Sequence, residues 1–131
     1  EPRFIDLASR VNADMPEHVA ERVSRALNIR FCKALRCSRV LIVGLSYKKD
    51  VTDTRESPAY EVIEKLKERG GHKMRSVKLT PSELKKYDCA VIVTDHSNVD
   101  YDMLVKHSKF IIDTRNALRN IKANRDKIER L

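Results

Sequence analysis

Basic side chains follow two of the apolar runs in this sequence, and they are its most informative chemistry. Lys48, Lys49 and Arg55 come after residues 40–45, and Arg115 comes two residues after the run 110–113. A third run, 89–94, is followed by Asp95-His96-Ser97-Asn98. A guanidinium can hold two oxygens of a phosphate at once, whereas an ammonium acts as a mobile point charge. This pattern suits the binding of a phosphate-bearing small molecule better than bond-making. The alternative is a polar rim of capped helix starts.

Other chemistries lack their residues. Gly44-Leu45-Ser46-Tyr47 contains no G-x-G-x-x-G, and no Walker loop occurs. His18, His72, His96 and His107 are scattered without metal-ligand spacing. His18 is expected to be solvated and His107 to cap a helix end, while His96 stands at a strand end where it could touch a ligand. Cys32, Cys37 and Cys89 are odd in number, do not form a zinc motif, and do not sit in a loop suited to a nucleophile. They are expected to be reduced, with Cys89 buried. The chain therefore presents no catalytic residue and no metal site.

Elements of fixed geometry must bring such loops together. Val40-Leu41-Ile42-Val43-Gly44-Leu45 is a continuous apolar run rich in β-branched residues and ended by Gly, the mark of a strand buried on both faces. Ser57-Pro58 starts a helix whose inner face is Ala59, Val62, Ile63 and Leu66, and Gly70-Gly71 ends it. Thr80-Pro81-Ser82-Glu83 is a capping box that opens a short helix through Tyr87. Strands at 89–94 and 110–113 flank a helix from Tyr101 to His107, and residues 116–131 read as a polar helical tail. Strands alternating with helices predict an α/β fold, a parallel sheet covered on both sides. In such a sheet ligands gather at the carboxyl ends of the strands.

Two segments stand apart. Phe4, Ala8, Val11, Met15, Val19, Val23, Ala26 and Leu27 recur at helical spacing. They predict a long N-terminal helix, kinked at Pro16 or restarting there. Its stripe is too long for one small domain to cover, so residues 1–35 read as a connecting and dimerisation helix and 36–131 as the binding domain. After Gly71 the alternation calls for a strand, yet His72 to Leu79 is rich in basic residues, and only Val77 and Leu79 alternate. Either the domain lacks this strand or the sequence skips residues after Gly71.

The formal net charge of +8 is spread along the chain, without a basic block, and aromatics make up only 5%. Nucleic acid is therefore not the expected partner. No apolar run approaches bilayer length, and the N-terminus lacks a signal peptide, so a cytoplasmic protein is expected. The absence of an initiator Met suggests a fragment.

The stretch from Gly44 through Tyr47, Lys48, Asp50, Asp53, Arg55, Ser57 and Pro58 resembles G-x-x-[YF]-K-x-[DN]-x-x-D-x-R-x-S-[PS]. That signature marks the C-terminal UDP-binding domain of the UDP-glucose/GDP-mannose dehydrogenase family. Thr94-Asp95-His96 with Asp100-Tyr101, and Ile112-Asp113-Thr114-Arg115-Asn116, resemble the family's later strand ends. Residues 3–16 resemble the connecting helix of the branch acting on UDP-N-acetylhexosamines. The family's Asp-Pro-[YF] strand end has no counterpart here.

The resemblance implies a Rossmann-like domain from an NAD-dependent UDP-sugar 6-dehydrogenase, with UDP-N-acetylglucosamine favoured as substrate. It also implies two successive oxidations by NAD, an upstream NAD-binding half with the catalytic cysteine, and a homodimer. By motif position Tyr47 and Lys48 contact the UDP-sugar, Arg55 faces the NAD side, and Arg115 approaches the diphosphate. A stand-alone nucleotide-sugar-binding or regulatory module is the alternative.

Overall fold

The computed structural model describes residues 2–44, 58–70, 77–95 and 97–131, without the side chains of 2–14 and 58. Tyr47, Lys48, Arg55, His96 and the expected interruption after Gly71 all lie outside the described residues. The elements are α1 (Pro2–Phe31), β1 (Val40–Val43), α2 (Pro58–Glu68), α3 (Pro81–Leu84), β2 (Cys89–Ile92), α4 (Tyr101–His107), β3 (Ile111–Asp113) and β4 (Ile128–Arg130). The four strands lie side by side in sequence order, and every pairing is parallel.

Alternation along the strands divides the core into two layers. Ile42, Cys89, Val91, Val93, Phe110 and Ile112 face Val19, Ala20, Val23, Ala26 and Leu27 of α1, together with Ala59, Val62 and Leu66 of α2. On the opposite face, Leu41, Val43, Ala90, Ile92 and Ile111 meet Leu84 of α3, Leu104 and Val105 of α4, and Leu118. The result is a helix–sheet–helix sandwich of Rossmann-like type. Phe110 is fully buried, and the Arg30 guanidinium stacks 4.2 Å from its ring centroid, closing one end of the first layer.

Local signals start the short helices, although α3 ends at Leu84 rather than running through Tyr87 as expected. Thr80 caps α3 by accepting the Glu83 N–H at 3.2 Å, and Pro81 follows at the first helical position. Asp100 caps α4 by accepting the Met103 N–H at 3.1 Å. Gly70, at φ +116°, lies just past α2 in a conformation that a side chain would strain.

Two further expectations are corrected. α1 continues through Pro16 as one helix, so no second helix starts there. Residues 116–131 are not a helical tail: they run through turns and a single 3-10 turn into β4. Within 124–131 only Ile128 and Leu131 are apolar, and charged contacts add to their hold. Arg22 of α1 grips Glu129 with two hydrogen bonds, Arg30 donates to the Asp126 carbonyl, and Lys127 donates to the carbonyls of Lys106 and Ser108. Contacts between residues so far apart in sequence leave no periodicity to read.

Candidate functional site

The carboxyl ends of β2, β3 and β4 open into a cleft of about 490 Å³. Thr94, Asp95, Thr114, Arg115, Asn116 and Arg130 line it, with Leu131 beside them. Its position is the one at which parallel sheets bind ligands, because successive loops diverge there.

Asp113, at the end of β3, builds the loop that carries Arg115. Its side chain is 2% exposed and accepts three backbone N–H groups, from Arg115 at 3.0 Å, Ala117 at 3.1 Å and Leu118 at 2.9 Å. Asn116 adopts the left-handed conformation at φ 55°, which Asn tolerates better than most residues, and this lets the chain fold back over the carboxylate. Thr114 anchors the other side of the loop, since its hydroxyl donates to the Ile92 carbonyl at 2.6 Å. The Arg115 backbone is thereby fixed while its guanidinium, exposed in the cleft, makes no hydrogen bond or ion pair with any described residue. Asp113 takes the backbone N–H of Arg115 and leaves its charge free.

The acidic side chain that lines the cleft is already engaged. Asp95 accepts the Tyr101 hydroxyl at 3.0 Å and lies 3.5 Å from the Arg119 guanidinium. Gly44, at the end of β1, sits close behind this wall. A Cβ placed on it would stand 2.8 Å from the Thr94 nitrogen, and its φ of +123° is one that side chains rarely adopt. This glycine allows β1 and β2 to end side by side. Its small size serves packing within the sheet rather than the approach of a pyrophosphate.

Of the expected site residues, the structure places Arg115 in the cleft; Tyr47, Lys48 and Arg55 lie outside the described residues. Arg130 was missed by sequence reasoning. Its Cα pairs with that of Asp113 across the β3–β4 ladder, and its guanidinium also makes no contact with a described acceptor. The alternation of Ile128 and Arg130 on one face with Glu129 and Leu131 on the other was its signal, too short to stand out in a charged segment.

Cys89 is buried, and that burial pushes its thiol up to about 12, which removes it as a nucleophile. Cys32 and Cys37 are exposed and free, and His18 is exposed on α1. No helix among the described residues is long and apolar enough to cross a membrane.

Arg115 and Arg130, without an acceptor among the described residues, thus lie at the carboxyl edge of a parallel Rossmann-like α/β sheet, the edge at which such folds bind ligands. Residues 41–77 match the UDP binding domain of the UDP-glucose/GDP-mannose dehydrogenase family. The chain is 32% identical over 132 residues to a UDP-N-acetyl-D-mannosamine dehydrogenase of Pyrococcus horikoshii, covering 88% of this chain and 30% of that protein. It is 29% identical over 140 residues to the enzyme of the same name from Methanococcus vannielii, covering 90% of this chain and 31% of the relative. An NDP-N-acetyl-D-galactosaminuronic acid dehydrogenase of Ralstonia nicotianae is 30% identical over 132 residues, covering 86% of this chain and 30% of the relative. The chain belongs to the UDP-glucose/GDP-mannose dehydrogenase family and carries its C-terminal domain. It spans about 30% of the length of these relatives. The M. vannielii alignment, at 140 residues, is longer than the whole 131-residue chain, so that relative holds residues inside the matched span that have no counterpart here.

Proposed function

We propose that this chain binds the UDP part of a nucleotide sugar in the cleft at the carboxyl ends of β2, β3 and β4. The observation that carries the reading is the Arg115 guanidinium, which pairs with no described residue while Asp113 fixes its backbone in the cleft. Tyr47 and Lys48 complete the substrate contacts, and Arg55 reaches towards the cofactor side.

The whole enzyme is then an NAD-dependent nucleotide-sugar 6-dehydrogenase that oxidises a hydroxymethyl group to a carboxylate in the cytoplasm. Its upstream half binds NAD and supplies the nucleophilic cysteine, so this chain contributes binding and no catalytic residue. The sugar is a UDP-N-acetylhexosamine. Relatives named for N-acetylmannosamine and N-acetylgalactosaminuronic acid support that class, and they shift the choice within it from N-acetylglucosamine to N-acetylmannosamine.

Residues 1–35 serve as the connecting and dimerisation helix before the binding domain at 36–131. Val19, Val23 and Leu27 of that helix are buried against the sheet, while Met15, on the same stripe, is 39% exposed, so the stripe continues past the domain's own cover. The relatives' additional residues belong after Gly71. There they add a strand to β1, which is an edge strand among the described residues. A right-handed crossover through α2 leads to that edge.

Calorimetric titration of the chain with UDP, UMP, ADP and GDP tests the reading. UDP is expected to bind with preference for its base, and the chain mixed with NAD and UDP-N-acetylmannosamine is expected to form no NADH. Equal binding of all four nucleotides, falling steeply with salt, would instead indicate unspecific attraction of anions to a basic protein.

A further inference from the structure

We propose that Arg130 is a second phosphate-binding residue, and that Arg115 and Arg130 together make the cleft selective for a nucleoside diphosphate over a monophosphate. The inference rests on the reading of the cleft as a UDP site and adds a residue to it.

The basic residues around β4 divide into those already engaged and those left free. Arg119 is engaged by Asp95 and the Asn116 carbonyl, Arg125 by the carbonyls of Leu118 and Ile121, and Lys127 by those of Lys106 and Ser108. Arg22 and Arg30 of α1 are likewise taken by Glu129 and the Asp126 carbonyl. Arg115 and Arg130 have no such acceptor among the described residues, and both line one cleft. Arg115, in the loop after β3, and Arg130, at the end of β4, place two like charges around one cleft, which an anion bound there would offset. A sugar-linked diphosphate carries about two negative charges, one for each guanidinium, and each fork can hold two oxygens.

Backbone geometry aims Arg130 at this cleft. Neighbouring side chains of a strand point to opposite faces. Ile128 packs into the layer of α3 and α4, whereas Glu129 turns to Arg22 of α1 and Leu131 packs into the α1 layer. Arg130 therefore shares the face of Ile128. Its position is pinned on either side, by the pairing of its Cα with Asp113 and by the Leu131 N–H, which donates to the Asp113 carbonyl at 3.0 Å. Among the described residues no aromatic side chain lines the cleft. Its polar groups suit phosphates, and the base binds beyond it.

Titration of the chain and of Arg130→Ala and Arg130→Lys with UDP, UMP and uridine tests the assignment. Loss of a charged, bidentate contact is expected to weaken UDP binding by about tenfold or more in Arg130→Ala, with Arg130→Lys in between. UMP should weaken by no more than about twofold, because one phosphate needs only Arg115. The ratio of UDP to UMP affinity therefore collapses, a change that a merely structural role for Arg130 would not produce. Should the wild-type chain bind UDP and both variants bind it equally well, Arg130 is not a phosphate ligand, although the cleft remains a UDP site. Should UDP and UMP weaken in parallel, the selectivity argument fails. Should the wild-type chain bind no UDP, the reading of the cleft itself fails. Circular dichroism of Arg130→Lys, which keeps the charge, separates misfolding from lost contact.

Discussion

At the amino end of the sheet Asp88 is 4% exposed, and it accepts the Arg39 N–H at 3.0 Å and the Lys33 ammonium at 3.0 Å, with Lys109 at 3.9 Å. At the carboxyl end Asp113 is equally buried but meets backbone N–H groups alone. The first carboxylate neutralises cations of its own chain. The second shapes a loop without touching the guanidinium that the loop carries. Both settle the cost of burying a charge, but the carboxyl end gathers two guanidiniums, of Arg115 and Arg130, that meet no acceptor among the described residues and line one cleft. Internal pairing marks a clasp; its absence beside a well-ordered backbone marks a place prepared for a ligand.

Removing each carboxylate should separate these roles, and here the largest effects are expected. Asp113→Ala leaves three buried N–H groups without their acceptor and should cost about 3 kcal/mol, a melting-temperature drop on the order of 10 °C. It should also weaken UDP binding, because the Arg115 loop loses its frame. Asp88→Ala should destabilise by about 2 kcal/mol and leave UDP affinity unchanged. Thermal melts with and without UDP measure both quantities. If Asp88→Ala also abolished UDP binding, the two ends could not be assigned separate work.

Arg115→Lys probes the free charge directly. Exchange of the planar fork for a point charge should weaken UDP by about tenfold. The melting temperature should barely move, since the guanidinium makes no contact with a described residue. A lowered melting temperature with intact UDP binding would make Arg115 a clasp like Lys33.

The smallest effect is a pH dependence confined to the amino end. Burial alone would raise the Asp88 carboxyl, but the Arg39 N–H, the Lys33 ammonium and the Lys109 charge outweigh it and hold it below its ordinary 3.8. A carboxylate depressed on folding contributes stability that is present above its unfolded value and lost as pH falls through the folded one. The stability gap between the chain and Asp88→Asn should therefore be widest above about pH 5 and narrow as the pH is lowered past 4. Chemical denaturation from pH 6 to pH 3 measures that gap; one that widens on acidification contradicts the clasp.

Much of this was legible in the residues. Continuous apolar runs identified β1, β2 and β3, since a strand covered on both faces has no polar side to mask it. The capping residues at Thr80 placed α3 because the bond to Glu83 is local. Arg115 could be located beyond β3 for the same reason: it follows its strand by two residues. α1 was recognised as a helix, but whether it passed through Pro16 or restarted there was decided only by the structure, because Pro16 gives the same local signal in both cases.

The sequence by itself determined the alternation of strands and helices and the basic loop after β3, for these depend on neighbours within a few residues, and the parallel sense of the sheet follows from that alternation. Tertiary structure alone decided that residues 128–130 form a strand. It did so through Arg22 on Glu129 and Lys127 on the Lys106 and Ser108 carbonyls, contacts that bring distant residues together without an apolar pattern. It also decided which cations are free, because a guanidinium's charge is written in the sequence while its partner is chosen only when the chain has folded. That choice placed Arg130 beside Arg115 and left both without a described acceptor.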